Sequence, residues 1–251
     1  MPGHLPNHAP SSSCVGRAVV TLTGTGGEQL TARLRQAGWQ AALWPGLTFR
    51  PTGQVGPLLR EEVKEADWVV LTSPQGVRSL ILGLEELGAA ALAAVKVAAV
   101  GEGTARPLAA WGRTPDFMPT QADARTLAAQ LPAGAGERLL HVTGVDSRDH
   151  LQRGLQERGV LYRRLELYRS CAVSYSAQAR RDLLAADWVV VGSGVAARGL
   201  AAQLGGGLPL LAMGSQTAAA ARAAGFAQVV QAREPSLEGV LVTLAELVCP
   251  A

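Results

Sequence analysis

The chain repeats one pattern of strand, turn and helix, and this repeat constrains its fold more than any other feature. Residues 66–73, Ala-Asp-Trp-Val-Val-Leu-Thr-Ser, return at 186–193 as Ala-Asp-Trp-Val-Val-Val-Gly-Ser. Residues 100–105, Val-Gly-Glu-Gly-Thr-Ala, return at 213–218 as Met-Gly-Ser-Gln-Thr-Ala. A repeat of such long period predicts two copies of one α/β unit rather than a solenoid of short repeats. Two like domains could hold a large ligand in a cleft between them.

A third pair of similar segments leaves the order of the units open. Thr23-Gly24 and the residues after it match Thr143-Gly144 and the residues after it. The two halves could therefore follow each other in tandem. Alternatively, each domain could borrow a strand and helix across two extended connectors at 44–51 and 163–171. The pattern of residues is compatible with both arrangements.

Composition excludes several classes of protein. No apolar run approaches the roughly 18 residues that span a bilayer, and the Pro-, His- and Ser-rich start lacks the core of a signal peptide. We therefore expect a flexible tail at 1–16, no membrane partner and a cytoplasmic location. A net charge of +3 without a basic run predicts no nucleic-acid partner. The Cys and His residues lack the spacing of metal ligands, so we expect no metal.

Apolar runs alternate with segments of helical periodicity along most of the chain, which predicts right-handed βαβ units and parallel sheets. Ser73 followed by Pro74 is typical of a helix start. Residues 39–50 are predicted as an exposed extended segment, residues 117–118 as a short strand, and residues 147–158 as a helix. In the extended segment 161–171, alternation puts Tyr162, Arg164, Glu166 and Tyr168 on one polar face.

The turns after the predicted strands are rich in glycine and hydroxyl side chains. They lie at 23–27, 72–76, 101–104, 143–147, 192–194 and 214–217. Ligands of open parallel sheets bind at this edge, where N–H groups at helix starts favour anions. Each turn taken alone is also what ordinary caps and turns look like. Together they predict a site for an anionic ligand.

Rival chemistries find little support in the sequence. The glycines at 24, 26 and 27 lack the third glycine of a dinucleotide site, and there is no P-loop. No nucleophile elbow in a triad context and no paired acids beside a histidine appear. We therefore expect a reaction driven by the substrate and steered by shape, in which the Tyr168 phenol could serve as a positioned proton donor or hydrogen-bond partner.

Taken together, the motifs resemble the uroporphyrinogen-III synthase family over about residues 17–248. The resemblance rests on Leu-Thr-Ser-Pro-Gln-Gly-Val at 71–77, Val-Gly-x-x-Thr-Ala at 100–105, the stretch 112–127, Gly-x-x-Thr-Ala at 214–218, and the pair Tyr168-Arg169. Gln75 replaces the usual Asn of the family, Leu71 replaces an aromatic residue, and the second copy has Gly192-Ser193 in place of Thr-Ser.

The resemblance implies an α/β fold of two flavodoxin-like parallel-sheet domains, joined by a two-stranded connector and related by internal duplication. The first domain would comprise 17–42 plus 172–251, the second 52–162, and the connector 43–51 and 163–171. The implied reaction converts hydroxymethylbilane to uroporphyrinogen III in the inter-domain cleft, with loss of water, inversion of ring D and ring closure. The implied enzyme is a lyase that needs no cofactor and acts as a monomer.

The resemblance also assigns roles to residues. Tyr168 matches the tyrosine thought to assist departure of the hydroxyl group, Thr104 and Thr217 match motif threonines, and Ser73 matches a loop serine. With the turns, the predicted substrate-binding set is Thr72, Ser73, Gly76, Gly101, Thr104, Thr143, Gly144, Ser193, Gly214 and Thr217. The alternative is a non-catalytic two-domain binder of a tetrapyrrole or another anionic small molecule.

Overall fold

The computed structural model describes residues 16–53, 55–147 and 150–248. The chain divides into two compact units. The first unit consists of the described residues up to Thr48 together with those from Cys171 onward, and the second unit is Phe49–Ser170. Nearly all of the predicted tail at 1–16 lies outside the described residues.

Strands and helices alternate along the described chain. The strands are β1 (Arg17–Val20), β2 (Gln40–Leu43), β3 (Leu47–Pro51), β4 (Trp68–Leu71), β5 (Lys96–Ala99), β6 (Arg138–Gly144), β7 (Leu161–Ala172), β8 (Trp188–Val191), β9 (Leu210–Ala212) and β10 (Val229–Gln231). The helices are α1 (Gly24–Gln36), α2 (Val55–Glu65), α3 (Pro74–Gly83), α4 (Glu102–Ala110), α5 (Ala124–Gln130), α6 (His150–Gln156), α7 (Ala177–Leu184), α8 (Gly194–Leu204), α9 (Ser215–Ala223) and α10 (Leu237–Val248).

The first unit contains a sheet in the order β10-β9-β8-β1-β2. Its strand pairs are parallel, and the order is the doubly wound 2-1-3-4-5 arrangement. Successive residues of β8 enter different cores: Val189 packs with α7, α8 and α9, whereas Val190 packs with α1 and α10. Helices therefore cover both faces, which is why this strand is apolar throughout.

The second unit contains a sheet in the order β3-β7-β6-β4-β5. The pairs β4–β5, β4–β6 and β6–β7 are parallel. Val69 and Leu71 of β4 pack against α2 and α3, whereas Trp68 and Val70 pack against α5 and α6. The molecule is thus an α/β protein with two largely parallel sheets, as the alternation of strands and helices predicts.

Two local predictions differ from the structure. The segment 39–50 contains two strands, and Trp39 and Ala41 are buried at 9% exposure rather than exposed, because α1 and α10 cover one face of the edge strand β2. The predicted strand 117–118 is a single bridge between Phe117 and Ala98. A third prediction, the helix 147–158, agrees with the structure in its described part, where α6 spans His150–Gln156; residues 148–149 lie outside the described residues.

Within the ranges 16–53, 55–147 and 150–248, no helix has the length and apolarity required to cross a membrane.

Candidate active site

The carboxyl edge of the second sheet brings together several of the predicted site residues. Thr72 and Ser73 follow β4, Thr143 and Gly144 end β6, and Gly144 pairs in register with Tyr168 of β7. Because the carboxyl ends of parallel strands meet at one edge of a sheet, these residues lie side by side although they are far apart in sequence.

Tyr168 does not share the polar face that sequence alternation predicts for it. In the register of β6 and β7, Thr143 pairs with Glu166 but Gly144 pairs with Tyr168, so β7 contains one extra residue at this point. This bulge breaks the alternation and places Tyr168 on the face of Leu165 and Leu167, which pack toward α3. The prediction of a common face for Glu166 and Tyr168 is therefore wrong.

Tyr168 and Ser73 form a hydrogen-bonded pair. The Tyr168 Oη and Ser73 Oγ atoms are 2.8 Å apart. Ser73 is the N-cap of α3 with Pro74 in the first turn, as predicted, and its Oγ accepts the Gly76 N–H at 2.9 Å. A serine oxygen that accepts one hydrogen bond keeps its own hydrogen to donate. The cap therefore holds Ser73 where it can donate to Tyr168, and in that arrangement the phenol proton is available for another acceptor.

The surroundings of Tyr168 hold its ring in place and keep its phenol protonated. The side chain is buried, and the Phe49 ring packs edge-on against it at 5.7 Å between centroids. Burial raises the pKa of Tyr168 above its ordinary value, and the nearby negative charge of Asp146 raises it further. A Cβ atom on Gly144 would lie 2.7 Å from the Tyr168 ring, so only glycine fits at this position without a shift.

A second polar chain lies on the opposite face of the same sheet. The Thr72 Oγ1 and His141 Nε2 atoms are 2.9 Å apart, and the His141 Nδ1 and Tyr162 Oη atoms are 2.6 Å apart. His141 is only 1% exposed. Burial lowers the pKa of His141 to about 3, and the charge of Arg164 acts in the same direction, so the imidazole is neutral.

Arg164 braces the turn after β6. Its Nη2 donates to the carbonyl oxygens of Gly144 at 3.2 Å and Val145 at 2.9 Å, and its Nε lies 2.9 Å from Glu166 Oε1. The guanidinium is thereby fixed beside the predicted anion-binding turn. Sequence reasoning missed the roles of both His141 and Arg164. His141 is a polar residue in the otherwise apolar run of β6, which indicates burial but not the partners, and Arg164 lies on a polar strand face that gives no sign of its contacts.

The remaining predicted residues lie at helix starts in both units. Gly101 is the N-cap of α4, its carbonyl oxygen accepts the N–H of Thr104, and Thr104 is buried. In the first unit, Ser193 caps α8 by accepting the Ala196 N–H at 3.2 Å. Gly214 is the N-cap of α9, and Thr217 lies buried in its first turn. Ser193, Gly214 and Thr217 therefore lie in the first unit, and the other predicted site residues lie in the second unit.

A hollow of about 540 Å³ lies at the opposite, amino-terminal edge of the second sheet. Two ion pairs that are accessible to solvent border it, Arg138 with Glu65 and Arg163 with Glu62. Such exposed pairs contribute little binding energy. The polar groups at the carboxyl edge are better placed for chemistry than this hollow. Among the described residues, no group of three or more His, Cys, Asp or Glu side chains is placed to hold a metal ion.

Comparison with known proteins identifies the family. The sequence model described as Uroporphyrinogen-III synthase HemD matches residues 28–241. The chain belongs to the uroporphyrinogen-III synthase family. It is 28% identical over 208 residues to the chloroplastic uroporphyrinogen-III synthase of Oryza sativa subsp. japonica, covering 78% of this chain and 67% of that protein.

Two further similarities bear on how far the family relation extends. The porphyrin biosynthesis protein HemD of Ruminiclostridium josui is 28% identical over 158 residues, which cover 61% of this chain but only 31% of that protein. The crystal structure of a mutant uroporphyrinogen III synthase from the extremely thermophilic bacterium Thermus thermophilus superposes with a TM-score of 0.56. The superposition covers 93% of this chain and 99% of that chain at 21% identity, which establishes a common fold.

Proposed function

We propose that the protein is a lyase that converts hydroxymethylbilane to uroporphyrinogen III, with loss of water, inversion of ring D and ring closure. The observation that carries the proposal is the buried, protonated phenol of Tyr168, held by Ser73 at the carboxyl edge of the second sheet. Membership in the uroporphyrinogen-III synthase family supports it. The chemistry needs no strong nucleophile, because the substrate pyrrole itself drives the departure of the hydroxyl group.

The step assigned to Tyr168 is the departure of the hydroxyl group from the hydroxymethyl carbon. The lone pair of the pyrrole nitrogen pushes out this group, the carbon–oxygen bond breaks with its electron pair on oxygen, and the Tyr168 proton converts the leaving group to water. Ser73 stabilises the transient phenolate by donating to Tyr168 Oη. The proton released when the new carbon–carbon bond closes the ring restores the phenol, so the net change is loss of one water.

The carboxylates of the substrate are assigned to the turns at the carboxyl edges of the sheets. In the second unit we assign Thr72, Ser73, Gly76, Gly101, Thr104, Thr143 and Gly144, and in the first unit Ser193, Gly214 and Thr217. The helices α3, α4, α8 and α9 begin at these turns, and the partial positive charge of a helix start favours an anion. The Gly76 N–H is engaged by Ser73, so Gly76 acts through the cap that orients Ser73.

The arrangement of the chain agrees with a duplicated protein, which we propose as its origin. In the order of the strands, β6 and β7 of the second sheet correspond to β1 and β2 of the first, and β4 and β5 correspond to β8 and β9. The helix α6 connects β6 to β7 as α1 connects β1 to β2. The same correspondence links the repeated sequence segments. The connector role of 43–51 and 163–171, the monomeric state, the absence of a cofactor and the cytoplasmic location stay predictions.

The proposed activity is tested by incubating the purified protein with freshly prepared hydroxymethylbilane and separating the isomers of the product. Closure without inversion of ring D gives the type I isomer, and a buffer control without protein measures this background. We expect the type III isomer to dominate when protein is present. An isomer ratio equal to the background would refute the proposal, and tight binding of the substrate without conversion would support the non-catalytic alternative.

A further inference from the structure

Thr72 and Ser73 are neighbours in sequence, but their side chains lie on opposite faces of the second sheet. Ser73 contacts Tyr168 on the face covered by α3, whereas Thr72 contacts His141 on the face covered by α5 and α6. His141 also contacts Tyr162 of β7. One buried imidazole thus links the end of β4 to β6 and β7, and the mechanism above gives it no role.

The distances indicate which nitrogen of His141 carries the proton. A neutral imidazole has one donor and one acceptor nitrogen, so its two contacts are of opposite type. The Tyr162 Oη to Nδ1 distance of 2.6 Å is short for a ring N–H donor, whereas the 2.9 Å between Nε2 and Thr72 Oγ1 is the usual length of an N–H···O bond. A phenol is also a better proton donor than an aliphatic hydroxyl. These lengths favour the tautomer in which Tyr162 donates to Nδ1 and Nε2 donates to Thr72.

This tautomer decides what Thr72 offers to a ligand. When Thr72 Oγ1 accepts the Nε2 proton, its own hydrogen is left to donate to another group. In the other tautomer the Thr72 hydroxyl would donate its hydrogen to His141 Nε2. Only oxygen lone pairs would then face the ligand, and these repel an anion. Burial and the positive charge of Arg164 on the same side lower the pKa of His141, so the ring stays neutral and one of its nitrogens remains an acceptor, as a donation from Tyr162 requires.

We propose that His141 is a positioning residue that, through the Tyr162–His141–Thr72 chain, holds the Thr72 hydroxyl as a hydrogen-bond donor to a carboxylate of the substrate. The inference rests on the proposed function, since it takes a substrate carboxylate as the acceptor. It also makes a statement about His141 alone that can be tested without turnover.

That statement is tested by nitrogen-15 NMR of the protein labelled at histidine, with the His141→Gln variant used to assign the signals. We expect the His141 ring to show an unprotonated Nδ1 and a protonated Nε2 at neutral pH. A protonated Nδ1 with an unprotonated Nε2, or a doubly protonated ring, would overturn the inference. This result stands even if the wild-type protein makes no type III isomer, in which case only the proposed function fails.

Kinetics with hydroxymethylbilane test the positioning role itself. His141→Leu should raise KM about tenfold with little change in kcat, because a hydrogen bond to a charged group is lost equally from substrate and transition state. His141→Gln keeps an N–H near the position of Nε2 and should restore most of the affinity. Thr31→Val, which removes a buried hydroxyl bonded to Gly27 O in the first unit, serves as the control and should leave KM unchanged.

Two kinetic results would contradict the positioning role. One is a KM for His141→Leu equal to that of the wild type, and the other is a loss in His141→Gln as large as that in His141→Leu. If His141→Leu does not fold, the comparison of His141→Gln with the wild type and the NMR tautomer decide the question.

Discussion

The buried imidazole of His141 makes the stability of the protein depend on pH in a way that can be worked out from the structure. Burial and the charge of Arg164 lower the pKa of His141 to about 3 in the folded protein, from 6.5 for an ordinary histidine. Between these two values the unfolded chain binds a proton that the folded chain does not. The free energy of unfolding therefore falls as the pH falls through 6.5, and the loss is complete only near pH 3.

The size of the effect between pH 7 and pH 5 follows from the same numbers. Protonation of this one histidine in the unfolded chain lowers the free energy of unfolding by about 2 kcal/mol between pH 7 and pH 5, since one pKa unit corresponds to about 1.4 kcal/mol. His141→Gln removes this contribution but keeps every other titrating group. Urea unfolding of both proteins at pH 7 and pH 5 should show that the wild type loses about 2 kcal/mol more than the variant. Equal losses in the two proteins would refute the assignment of a neutral, buried His141.

Three further substitutions have defined outcomes. Gly144→Ala places a Cβ atom 2.7 Å from the Tyr168 ring and should lower the free energy of unfolding by about 1–3 kcal/mol and slow turnover; unchanged thermal unfolding and activity would contradict the close packing. Ser73→Ala removes the cap of α3 and should cost about 1 kcal/mol in urea unfolding and also slow turnover, whereas full activity would remove Ser73 from the site. Tyr175 has a buried hydroxyl without a hydrogen-bond partner among the described residues. Tyr175→Phe should therefore leave the thermal unfolding temperature unchanged or raise it, and a marked decrease would show that this hydroxyl does have a hydrogen-bond partner.

The regular features of the fold follow from local sequence. The all-apolar strands β4 and β8 predict a sheet covered on both faces, and the pair Ser73-Pro74 predicts the start of α3. These signals are readable because each depends on residues that are close in sequence. The turns rich in glycine and hydroxyl groups were also predictable, because each directly follows a strand in the sequence and therefore lies at the carboxyl edge of its sheet.

What the sequence does not reveal depends on pairing between distant strands. Alternation along β7 predicts the wrong face for Tyr168, because the bulge appears only in the register with β6. The pattern around Trp39 predicts an exposed segment, but α10, which comes late in the chain, contributes to the core that buries this residue. A single histidine in an apolar run likewise gives no sign that Thr72 and Tyr162 will lie on either side of it.

The role of Tyr168 is tested most directly by the rate at which type III uroporphyrinogen forms from hydroxymethylbilane in Tyr168→Phe, compared with the wild type and with Tyr175→Phe. Both variants lose one buried phenol hydroxyl, but only Tyr168 lies beside Ser73. We predict that Tyr168→Phe slows formation of the type III isomer by about 10²–10⁴-fold, as expected for loss of a positioned proton donor, while Tyr175→Phe keeps the wild-type rate. Equal rates for Tyr168→Phe and the wild type would contradict the account.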